Sequence, residues 1–426
     1  MNKSGLLFFF LIAFCKLNGQ TTYLHCGQML DMTSENVQEE VTIIVENDRI
    51  KSIVSGYLNG NDEVIHIDLK DKFVMPGFMD MHVHIEHESS PTRYLDRFRQ
   101  NKSDIALGAI KYCERTLMAG FTTVRDLGGT GVNVSLRNAI NKGEISGPRI
   151  YTAEKSIATT GGHADPTNGV RDDLKGDPGP KEGVINSIED AKKAVRQRYK
   201  NGADCIKITA TGGVLSVAKD GQGPQFTVEE VKAVVDAAAD YGYVTAAHAH
   251  GAEGMKRAVL GGIHSIEHGT KMNEEVMQMM IDSGTYYVPT ISAGKFVEEK
   301  AKIPGYYPSI IVPKALEIGP KIQATFEKAY KAGVKIAFGT DAGVSPHGDN
   351  AKEFVFMVEG GMRNFEALLS ATVSSADLMN LTKDYGTLEV GKKADIIAMK
   401  LNPLINIDAT LDVSFVMKGN IIYKNE

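Results

Sequence analysis

Two histidines stand two positions apart at the end of an apolar run in the stretch PGFMDMHVHIEHE, residues 76–88. Alternate residues of a β-strand face the same side, so Asp80, His82 and His84 would share one face at the carboxyl end of a strand. Two imidazoles that converge in this way are ligands that a divalent transition metal prefers. An H-x-H pair alone is equally compatible with a structural or solvated pair, so its meaning depends on what lies beside it.

Further candidate ligands follow four other apolar segments of the chain. They are Lys207 in CIKITATGG, His248 and His250 in VTAAHAHG, His268 in SIEHGT and Asp341 in AFGTDAG. These side chains meet only if the segments are parallel strands whose carboxyl ends lie together, which is where barrel enzymes keep their active sites. Strand geometry alone lets either His248 or His250 be the fifth-strand ligand.

Lys207 and Asp341 add chemistry that histidines alone would not supply. Lys207 lies between Ile206 and Ile208, and burial would push its amine towards neutrality. A neutral amine can add carbon dioxide to give a carbamate, which is a carboxylate able to bridge two metal ions; a snorkelling lysine is the ordinary alternative. Asp341 could bind a metal and accept a proton from water that the ion acidifies from a pKa of about 15.7 to about 7. By itself, the same aspartate would fit a helix N-cap.

An amphipathic helix, a glycine and a short β-rich strand recur along the chain. In the unit of residues 188–213, Ser187 and Asp190 predict a capping box and Gly202 predicts the helix end. Thr227 and Glu230 open the next unit in the same way. Strands that alternate with helices predict a parallel sheet, and eight strands close a (β/α)₈ barrel. The eight candidates are Gly77–His84, Phe121–Leu127, Arg149–Ser156, Cys205–Ala210, Val244–Ala249, Ser265–Gly269, Tyr286–Ile291 and Ile336–Asp341.

The two flanks of this region consist of short strands and polar turns. Neither flank could build a full core alone, so we expect them to pair. The predicted architecture is an α/β protein with a TIM barrel over residues 76–382 and a small composite β-sandwich domain from residues 21–75 and 383–426.

Residues 1–20 predict a signal peptide. Lys3 precedes an apolar run from Leu6 to Cys15, which is too short to span a bilayer and is followed by small and polar residues. We therefore expect a mature chain that begins near Thr21 and is exported to the periplasm or secreted. Cys15 leaves lipidation open, although Phe14 is bulkier than a lipoprotein cleavage site normally accepts. No later segment predicts a membrane helix.

The composition and net charge of the chain argue against nucleic acid as a partner. The chain of 426 residues is 42% hydrophobic with a net charge of -6, which is typical of a soluble globular protein. Because no basic stripe is interleaved with aromatic residues, we expect no nucleic-acid partner. Cys26, Cys113 and Cys205 are odd in number and widely spaced. They predict no disulfide framework, and we interpret them as buried apolar filler.

Together these motifs resemble the amidohydrolase superfamily over nearly the whole chain after residue 20. PGFMDMHVH, SIEHG and FGTDAG are similar to its first, sixth and eighth barrel strands, and GTLEVGKKADIIAM to the return into its small β-sandwich. TTGGHAD, KITATGGVLS and AAHAHG resemble the branch related to imidazolonepropionase, and within it the binuclear metal-dependent dipeptidases that include Xaa-Pro dipeptidases. Imidazolonepropionase itself uses one metal and lacks the bridging lysine, so Lys207 argues against that enzyme.

The resemblance implies a cofactor and a role for each site residue. It implies two divalent ions, taken to be zinc: the more buried one held by His82, His84 and Asp341, the more exposed one by His248 and His268, and both bridged by carbamylated Lys207. His163 in GGHAD would polarise the substrate carbonyl, and His250 would contact the substrate. Arg171 and Lys219 are candidate partners for a substrate carboxylate, although a solvated surface role is favoured for each. The remaining histidines of this region are interpreted as surface or local structural residues: His87, His264 and His347.

The function that the resemblance implies is exported, metal-dependent hydrolysis of an amide bond. The expected substrate is a dipeptide of Xaa-Pro type, cleaved by a metal-bridged hydroxide with Asp341 as general acid and base. One alternative keeps the site and changes the bond to another N-acyl amino acid, a cyclic amide or a lactone, because specificity lies in loops whose shapes the sequence does not give. A remote alternative is a metal- or solute-binding protein without turnover, for which Asp341 would be unnecessary. Members of this family often assemble, so a homo-oligomer stays open.

Overall fold

The computed structural model of the chain describes residues 21–219 and 221–426. The predicted signal peptide, residues 1–20, lies outside the described residues. Among the residues that are described, no helix combines the length and the apolar character needed to cross a membrane.

Strands and helices alternate through the middle of the chain, and strands dominate at both ends. In chain order the strands are β1 (Thr21–Leu30), β2 (Val37–Glu46), β3 (Arg49–Ser55), β4 (Ile65–Pro76), β5 (Phe78–Val83), β6 (Phe121–Asp126), β7 (Arg149–Thr152), β8 (Ile206–Thr209), β9 (Thr245–Ala249), β10 (Ser265–His268), β11 (Tyr286–Val288), β12 (Ile396–Met399), β13 (Val413–Lys418) and β14 (Ile421–Asn425). The helices are α1 (Arg93–Asp96), α2 (Lys102–Met118), α3 (Val132–Asn141), α4 (Asp172–Lys175), α5 (Ile188–Asn201), α6 (Val228–Ala239), α7 (Ala252–Leu260), α8 (Glu274–Ser283), α9 (Ile291–Ala301), α10 (Val312–Ile318), α11 (Ile322–Ala332), α12 (Lys352–Glu359), α13 (Asn364–Leu369) and α14 (Ser375–Leu378). Short 3₁₀ segments cover Gly319–Lys321 and Ile407–Leu411, and a π-helical turn covers Ser370–Ser374.

The two flanks of the chain form one sheet. Its seven strands run in the order β14-β13-β12-β4-β1-β2-β3, so the antiparallel pairing of β12 with β4 joins the C-terminal flank to the N-terminal one. A separate hydrophobic cluster that includes Leu24, Ile43, Leu69 and Phe415 forms the core of this sheet. The predicted composite β-domain is confirmed, because alternate residues of strands from both flanks supply a single core.

The central strands form a closed parallel barrel. β5, β6 and β7 pair in one group, and β8, β9, β10 and β11 pair in a second. A bridge between Ile157 and Ile208 joins the groups on one side. On the other side the segment after α11 closes the barrel, since Ile336 pairs with Tyr287 of β11 and Ala342 pairs with Val83 of β5. The predicted TIM barrel is confirmed.

The eighth strand differs from the prediction Ile336–Asp341 in its regularity. It occupies the eighth position and makes backbone hydrogen bonds to both neighbours, such as Ala337 N–H to the Tyr287 carbonyl and Asp341 N–H to the His82 carbonyl, but none of its residues belongs to a continuous ladder. One departure from regular pairing is at Thr340, whose backbone N–H donates to the Asp80 carboxylate at 3.1 Å instead of to a neighbouring strand. Asp341 then adopts a left-handed backbone with φ 56°. The irregularity therefore falls at the active-site end of the barrel.

The helices form because their local signals agree with their packing. The Ser187 hydroxyl accepts the Asp190 N–H at 3.1 Å to begin α5, and Gly202, with φ 89°, ends it. Thr227 and Glu230 make the predicted capping box of α6. The buried residues of α5 are spaced three and four apart, which places one face against the barrel. The cysteines Cys26, Cys113 and Cys205 are buried and free, as predicted.

The connection between β11 and the eighth strand is long and helical. It carries α9, α10 and α11. Apolar residues of α9, of α10 and of the turn between them form a cluster with Val214, Val297, Tyr307 and Ile318 among its members. This cluster lies over the carboxyl end of the barrel and becomes one wall of the cavity described next. We call residues 291–332 the helical cover.

Candidate active site

The eight predicted site residues line one cavity of about 280 Å³ at the carboxyl end of the barrel. They come from strands β5, β8, β9 and β10, from the loop after β7 and from the eighth strand: His82, His84, His163, Lys207, His248, His250, His268 and Asp341. The structure thus brings together all the residues predicted as metal ligands and the two histidines predicted to contact the substrate. Their individual roles stay predictions.

One carboxylate oxygen of Asp341 lies close to two of the predicted histidine ligands. Its Oδ1 lies 3.6 Å from His82 Nε2 and 3.4 Å from His84 Nε2. That oxygen is buried and has no hydrogen-bond partner among the described residues. Ligand atoms of His82, His268 and Asp341 also lie within 4.8 Å of one another. His82 Nε2, His84 Nε2 and Asp341 Oδ1 therefore lie close together, and Asp341 Oδ1 is not engaged by a hydrogen bond among the described residues.

Each of three histidine rings is held through its Nδ1 atom. His82 Nδ1 lies 2.9 Å from Glu267 Oε2, His84 Nδ1 lies 2.6 Å from the Gly128 carbonyl, and His268 Nδ1 lies 2.7 Å from Thr290 Oγ1. Carboxylate and carbonyl oxygens only accept hydrogen bonds, so Nδ1 of His82 and His84 carries the proton and Nε2 keeps its lone pair. Burial also lowers the pKa of all three imidazoles, that of His84 to about 3. Neutral rings with a free Nε2 are the form that binds metal.

Glu267 is itself held in place by hydrogen bonds. Its Oε1 accepts a hydrogen bond from Arg125 Nη2 at 2.9 Å and another from the Ser265 hydroxyl at 2.5 Å. Arg125 and Glu267 are fully buried, and Arg125 Nε also donates to the Met81 carbonyl at 2.6 Å. A chain of hydrogen bonds thus runs from Arg125 through Glu267 to His82 and sets the direction of that ring. Sequence reasoning missed this network, although Glu267 stands beside His268 in the SIEHG motif.

Two of the predicted ligands have strained backbones. His268 has φ 70° and Asp341 has φ 56°, values that residues other than glycine rarely adopt. In a regular strand, His268 would point to the opposite side from its neighbour Glu267. The left-handed backbone at the end of β10 breaks this alternation. The strained backbones of His268 and Asp341 therefore accompany side chains that line the cavity.

Lys207 and Asp341 form a buried pair with opposite perturbations. Burial lowers the pKa of the Lys207 amine, against the attraction of the Glu267 and Asp341 carboxylates. Burial raises the pKa of Asp341, against the positive charge of Lys207. Both shifts favour the neutral forms, in which the amine is nucleophilic and the carboxyl can hold a proton near neutral pH.

The other three histidines, His163, His248 and His250, pack ring against ring beside His268. The His163 ring stacks on His248 with centroids 4.2 Å apart, and His250 stacks on His268 at 5.1 Å. His248 Nε2 lies 3.2 Å from the Gly212 carbonyl, which leaves Nδ1 as its free nitrogen. His250 Nδ1 lies 2.9 Å from Thr270 Oγ1, which leaves Nε2 free. Both rings therefore keep one nitrogen for a ligand, and the choice between His248 and His250 stays open.

The donor set fits divalent metal ions. It combines neutral imidazoles whose second nitrogens are held, a buried carboxylate oxygen without a protein partner, and a lysine whose pKa burial lowers. Nitrogen and oxygen ligands of this kind suit zinc and its first-row neighbours. The observation does not depend on any motif, because it rests on the partners of the individual atoms.

Comparison with known proteins identifies the family. The amidohydrolase family model matches residues 73–424. The chain belongs to the amidohydrolase family. A solved Xaa-Pro dipeptidase, with methionine bound in its active site, is 52% identical and superposes with a TM-score of 0.92 over 95% of this chain and 100% of that one. A prolidase complexed with N-methylphosphonate-L-proline is 30% identical, with a TM-score of 0.86 over 95% of this chain and 100% of the other. The ochratoxinase of Aspergillus niger is 30% identical over 95% of this chain and 87% of its own length.

These relatives confirm the predicted family and class of reaction. The amidohydrolase is a hydrolase that acts on C–N bonds, and its structural neighbours are Xaa-Pro dipeptidases and prolidases, as the resemblance implied. Enzymes of this family generally bind divalent metal ions, in agreement with the donor set in the cavity.

The candidate carboxylate partners Arg171 and Lys219 lie outside the cavity, in the solvated surface role that the sequence favoured for each. Arg171 is exposed, pairs with Asp173 and does not line the cavity, and Lys219 is exposed as well. A basic residue that does line the cavity, and that sequence reasoning missed, is Arg93, the first residue of α1 in the segment that follows β5. Its position after the first barrel strand was the available signal, because charged residues in such loops face the active site.

His87 was interpreted as a surface or local structural residue, and the structure corrects this. It lines the cavity, and its ring stacks on His84 with centroids 5.7 Å apart. The interpretation of His347 is confirmed, since its Nε2 lies 3.2 Å from the His84 carbonyl and 3.0 Å from the His87 carbonyl. His264 is also local, with Nδ1 2.9 Å from Thr245 Oγ1.

Proposed function

We propose that the protein is an exported, metal-dependent dipeptidase that hydrolyses Xaa-Pro dipeptides. The observation that carries this proposal is the 52% identity to a Xaa-Pro dipeptidase over 95% of the chain, in a protein whose predicted ligands all line one cavity. Export is proposed from residues 1–20, whose pattern is that of a signal peptide.

Two zinc ions would be held by the residues that the donor set provides. His82, His84 and Asp341 would hold the more buried ion, and His248 and His268 the more exposed one. Lys207 would bridge both after its amine bonds to the carbon of carbon dioxide and releases one proton, which leaves a negatively charged carbamate. When bound, divalent ions acidify water and polarise the amide carbonyl.

The chain's own residues would orient the substrate and move the proton. His163 is held with its backbone N–H 2.8 Å from Gln225 Oε1, and its Nδ1 has no hydrogen-bond partner in the described part of the chain. We propose that its ring donates a hydrogen bond to the carbonyl oxygen of the scissile bond. Asp341, whose pKa burial raises, would take up the proton released by the attacking water and pass it to the leaving nitrogen as the C–N bond breaks.

The test is release of free amino acids from a panel of dipeptides. The chain from Thr21 would be loaded with zinc in bicarbonate buffer and assayed with and without chelator. We expect cleavage that is concentrated on Xaa-Pro and abolished by the chelator. Activity on other dipeptides only would contradict the proline preference. Activity only on other N-acyl amino acids, cyclic amides or lactones would contradict the dipeptide as the substrate and leave the metal-dependent hydrolase. Metal binding without any hydrolysis would contradict the proposal that the protein is an enzyme.

A further inference from the structure

A buried lysine of the helical cover holds the loop that follows β8. Lys314 lies on α10 and is buried. Its Nζ donates to the carbonyls of Gly213 at 3.1 Å, Ser216 at 2.7 Å and Ala218 at 2.9 Å. These three carbonyls match in number the three donors of an ammonium group. We call residues 211–219 the β8 loop, and Lys314 ties this loop to a helix about 100 positions further along the chain.

The contacts of Lys314 differ from those of a surface lysine in the same cover. Lys321 is exposed and pairs with the exposed Glu317 four positions earlier, an arrangement that contributes little free energy. Lys314 instead gives up its hydration to bind backbone carbonyls, and a buried charge is tolerated only when its hydrogen bonds replace that hydration. Hydrogen bonds from a charged donor are also roughly twice as strong as neutral ones. The β8 loop is therefore held more firmly than a surface ion pair would hold it.

The β8 loop touches the site through Gly213. A Cβ built on Gly213 would lie 2.2 Å from the His163 ring, so the backbone of the loop packs directly on that ring. The ring also stacks on His248 with centroids 4.2 Å apart. His163 Nδ1 has no hydrogen-bond partner in the described part of the chain, so packing against Gly213 and His248 sets where the ring lies. The carbonyl of that same Gly213 is one of the three that Lys314 binds.

Lys314 reaches the site through the β8 loop and not by contact with a substrate. Val214, Leu215 and Ser216 of the loop line the cavity, whereas Lys314 is not among the described residues that line it. A second side chain holds another part of the loop, since the Tyr94 hydroxyl donates to the Leu215 carbonyl at 2.9 Å. Tyr94 therefore offers a contact with the same loop that does not involve the glycine beside His163.

We infer that Lys314 is a positioning residue for the reaction: by fixing the Gly213 carbonyl, it holds the His163 ring in place beside the scissile bond. This inference rests on the proposed function, in which His163 donates a hydrogen bond to the scissile carbonyl. Such a donor stabilises the transition state only from within hydrogen-bond distance of the oxygen on which charge develops. A displacement of about 1 Å in a positioning group costs roughly 100-fold in rate. Lys314 thus supports turnover from outside the cavity.

The test is a double-mutant cycle on zinc-loaded enzyme with the dipeptide that the wild type cleaves fastest. Lys314→Met keeps most of the apolar stem and removes the three donors. We expect kcat to fall by roughly 100-fold, with KM and zinc content near the wild-type values. His163→Phe keeps a ring and removes its hydrogen bond, and Lys314→Met should lower kcat no further in that background, because both changes remove the same interaction. Wild-type kcat in Lys314→Met, or an equal fall in both backgrounds, would overturn the inference.

Tyr94→Phe is the matched control for the β8 loop. It removes the hydrogen bond to the Leu215 carbonyl and leaves the one from Lys314 to Gly213. We expect kcat to stay within a few-fold of the wild-type value. A fall as large as that in Lys314→Met would show that any loosening of the loop impairs turnover, and the specific link from Lys314 to His163 would be wrong.

Chemical labelling without substrate separates this inference from the proposed function. Diethyl pyrocarbonate acylates accessible neutral imidazoles, and mass spectrometry of the zinc-loaded protein would give the rate at each histidine. We expect labelling of His163 to rise several-fold in Lys314→Met and to stay unchanged in Tyr94→Phe. His347, which is buried outside the cavity, should be labelled equally slowly in all variants. An unchanged rate at His163 refutes the inference even if dipeptides are cut, as does a parallel rise at His347. A rise confined to His163 supports it even if no dipeptide is cut.

Discussion

The two walls of the cavity differ in how their polar atoms are satisfied. On the metal side, the ring nitrogens of His82, His84 and His268 that face away from the cavity all have partners. On the side of the helical cover, the lining consists of apolar residues such as Val297 and Ile318, and the Tyr307 hydroxyl of the same segment is buried without a hydrogen-bond partner among the described residues. The first wall is preorganised by the barrel itself, whereas the second depends on a long connection packed over it. This difference indicates that the chemistry resides on the first wall and the choice of substrate on the second.

The largest expected effect comes from breaking the metal side at Asp341. Asp341→Asn keeps the size of the side chain but removes the negative charge and the site that takes up a proton. We expect kcat to fall by about 10³-fold or more, since a positioned acid–base group contributes on this scale, and bound metal to fall as well. Lys207→Ala should give a similar loss. Circular dichroism should show an intact fold in both, and wild-type rates from either variant would contradict the proposed metal centre.

Changing Glu267, which holds the ring of the ligand His82, should give the next largest effect, a loss of metal affinity. Glu267→Gln removes the charge that holds the His82 ring and pairs with Arg125. We expect metal affinity to fall by about 10- to 100-fold, which is typical when the partner of a metal-binding histidine is changed. Glu353→Gln is the matched control, because Glu353 is also fully buried but accepts hydrogen bonds from Ile291 and Ser292 at the start of α9. Titration with a competing chelator should show weaker binding in Glu267→Gln only; equal losses in both variants would argue for general destabilisation.

The sequence predicts the residues of the metal side of the cavity and misses those that the helical cover brings close to it. His82, His84, Lys207, His268 and Asp341 stand at strand ends, where a local motif and the barrel rule together give the position of a side chain. Tyr306 and Ser89 come into contact only because the helical cover folds back over the segment after β5. Arg93, which lines the cavity, follows that segment at the start of α1. No local pattern encodes such a long-range contact, so a charged residue in a loop is indistinguishable from a solvated one until the packing is known.

The irregular eighth strand shows a second limit of sequence reasoning. Apolar residues such as Ile336 and Phe338 predict a regular strand, and the segment takes the predicted place in the barrel. One departure from regular pairing arises at Thr340, through the carboxylate of Asp80, 260 positions away in the chain. Side chains that compete with backbone partners are not visible in a periodic pattern.

Gly213 gives an effect on turnover rather than on metal binding. A Cβ on this glycine would lie 2.2 Å from the His163 ring, so Gly213→Ala must displace His163 from its stack on His248. We expect kcat/KM to fall by roughly 100-fold, because a shift of about 1 Å in a positioning group costs this much, while metal content stays at the wild-type value. Gly179→Ala is the control, since nothing lies within 4 Å of a Cβ there. Loss of metal in Gly213→Ala would show that the two walls are not independent.

The smallest effect is expected on the apolar wall, and it tests most directly whether this wall selects the substrate. Val297 is buried in the helical cover and lines the cavity. Val297→Ala should raise KM by roughly 10-fold for dipeptides with large apolar side chains, because removal of one or two methyl groups from a pocket costs about 1–3 kcal/mol. Its effect on kcat should be small. Val259→Ala makes the same truncation at a buried position of α7 that does not line the cavity. Both variants lose core packing, so a lower melting temperature is expected in each, and only the change in KM distinguishes them. If Val297→Ala altered kcat and left the order of preferred dipeptides unchanged, the apolar wall would belong to the chemistry, and the division between the two walls would fail.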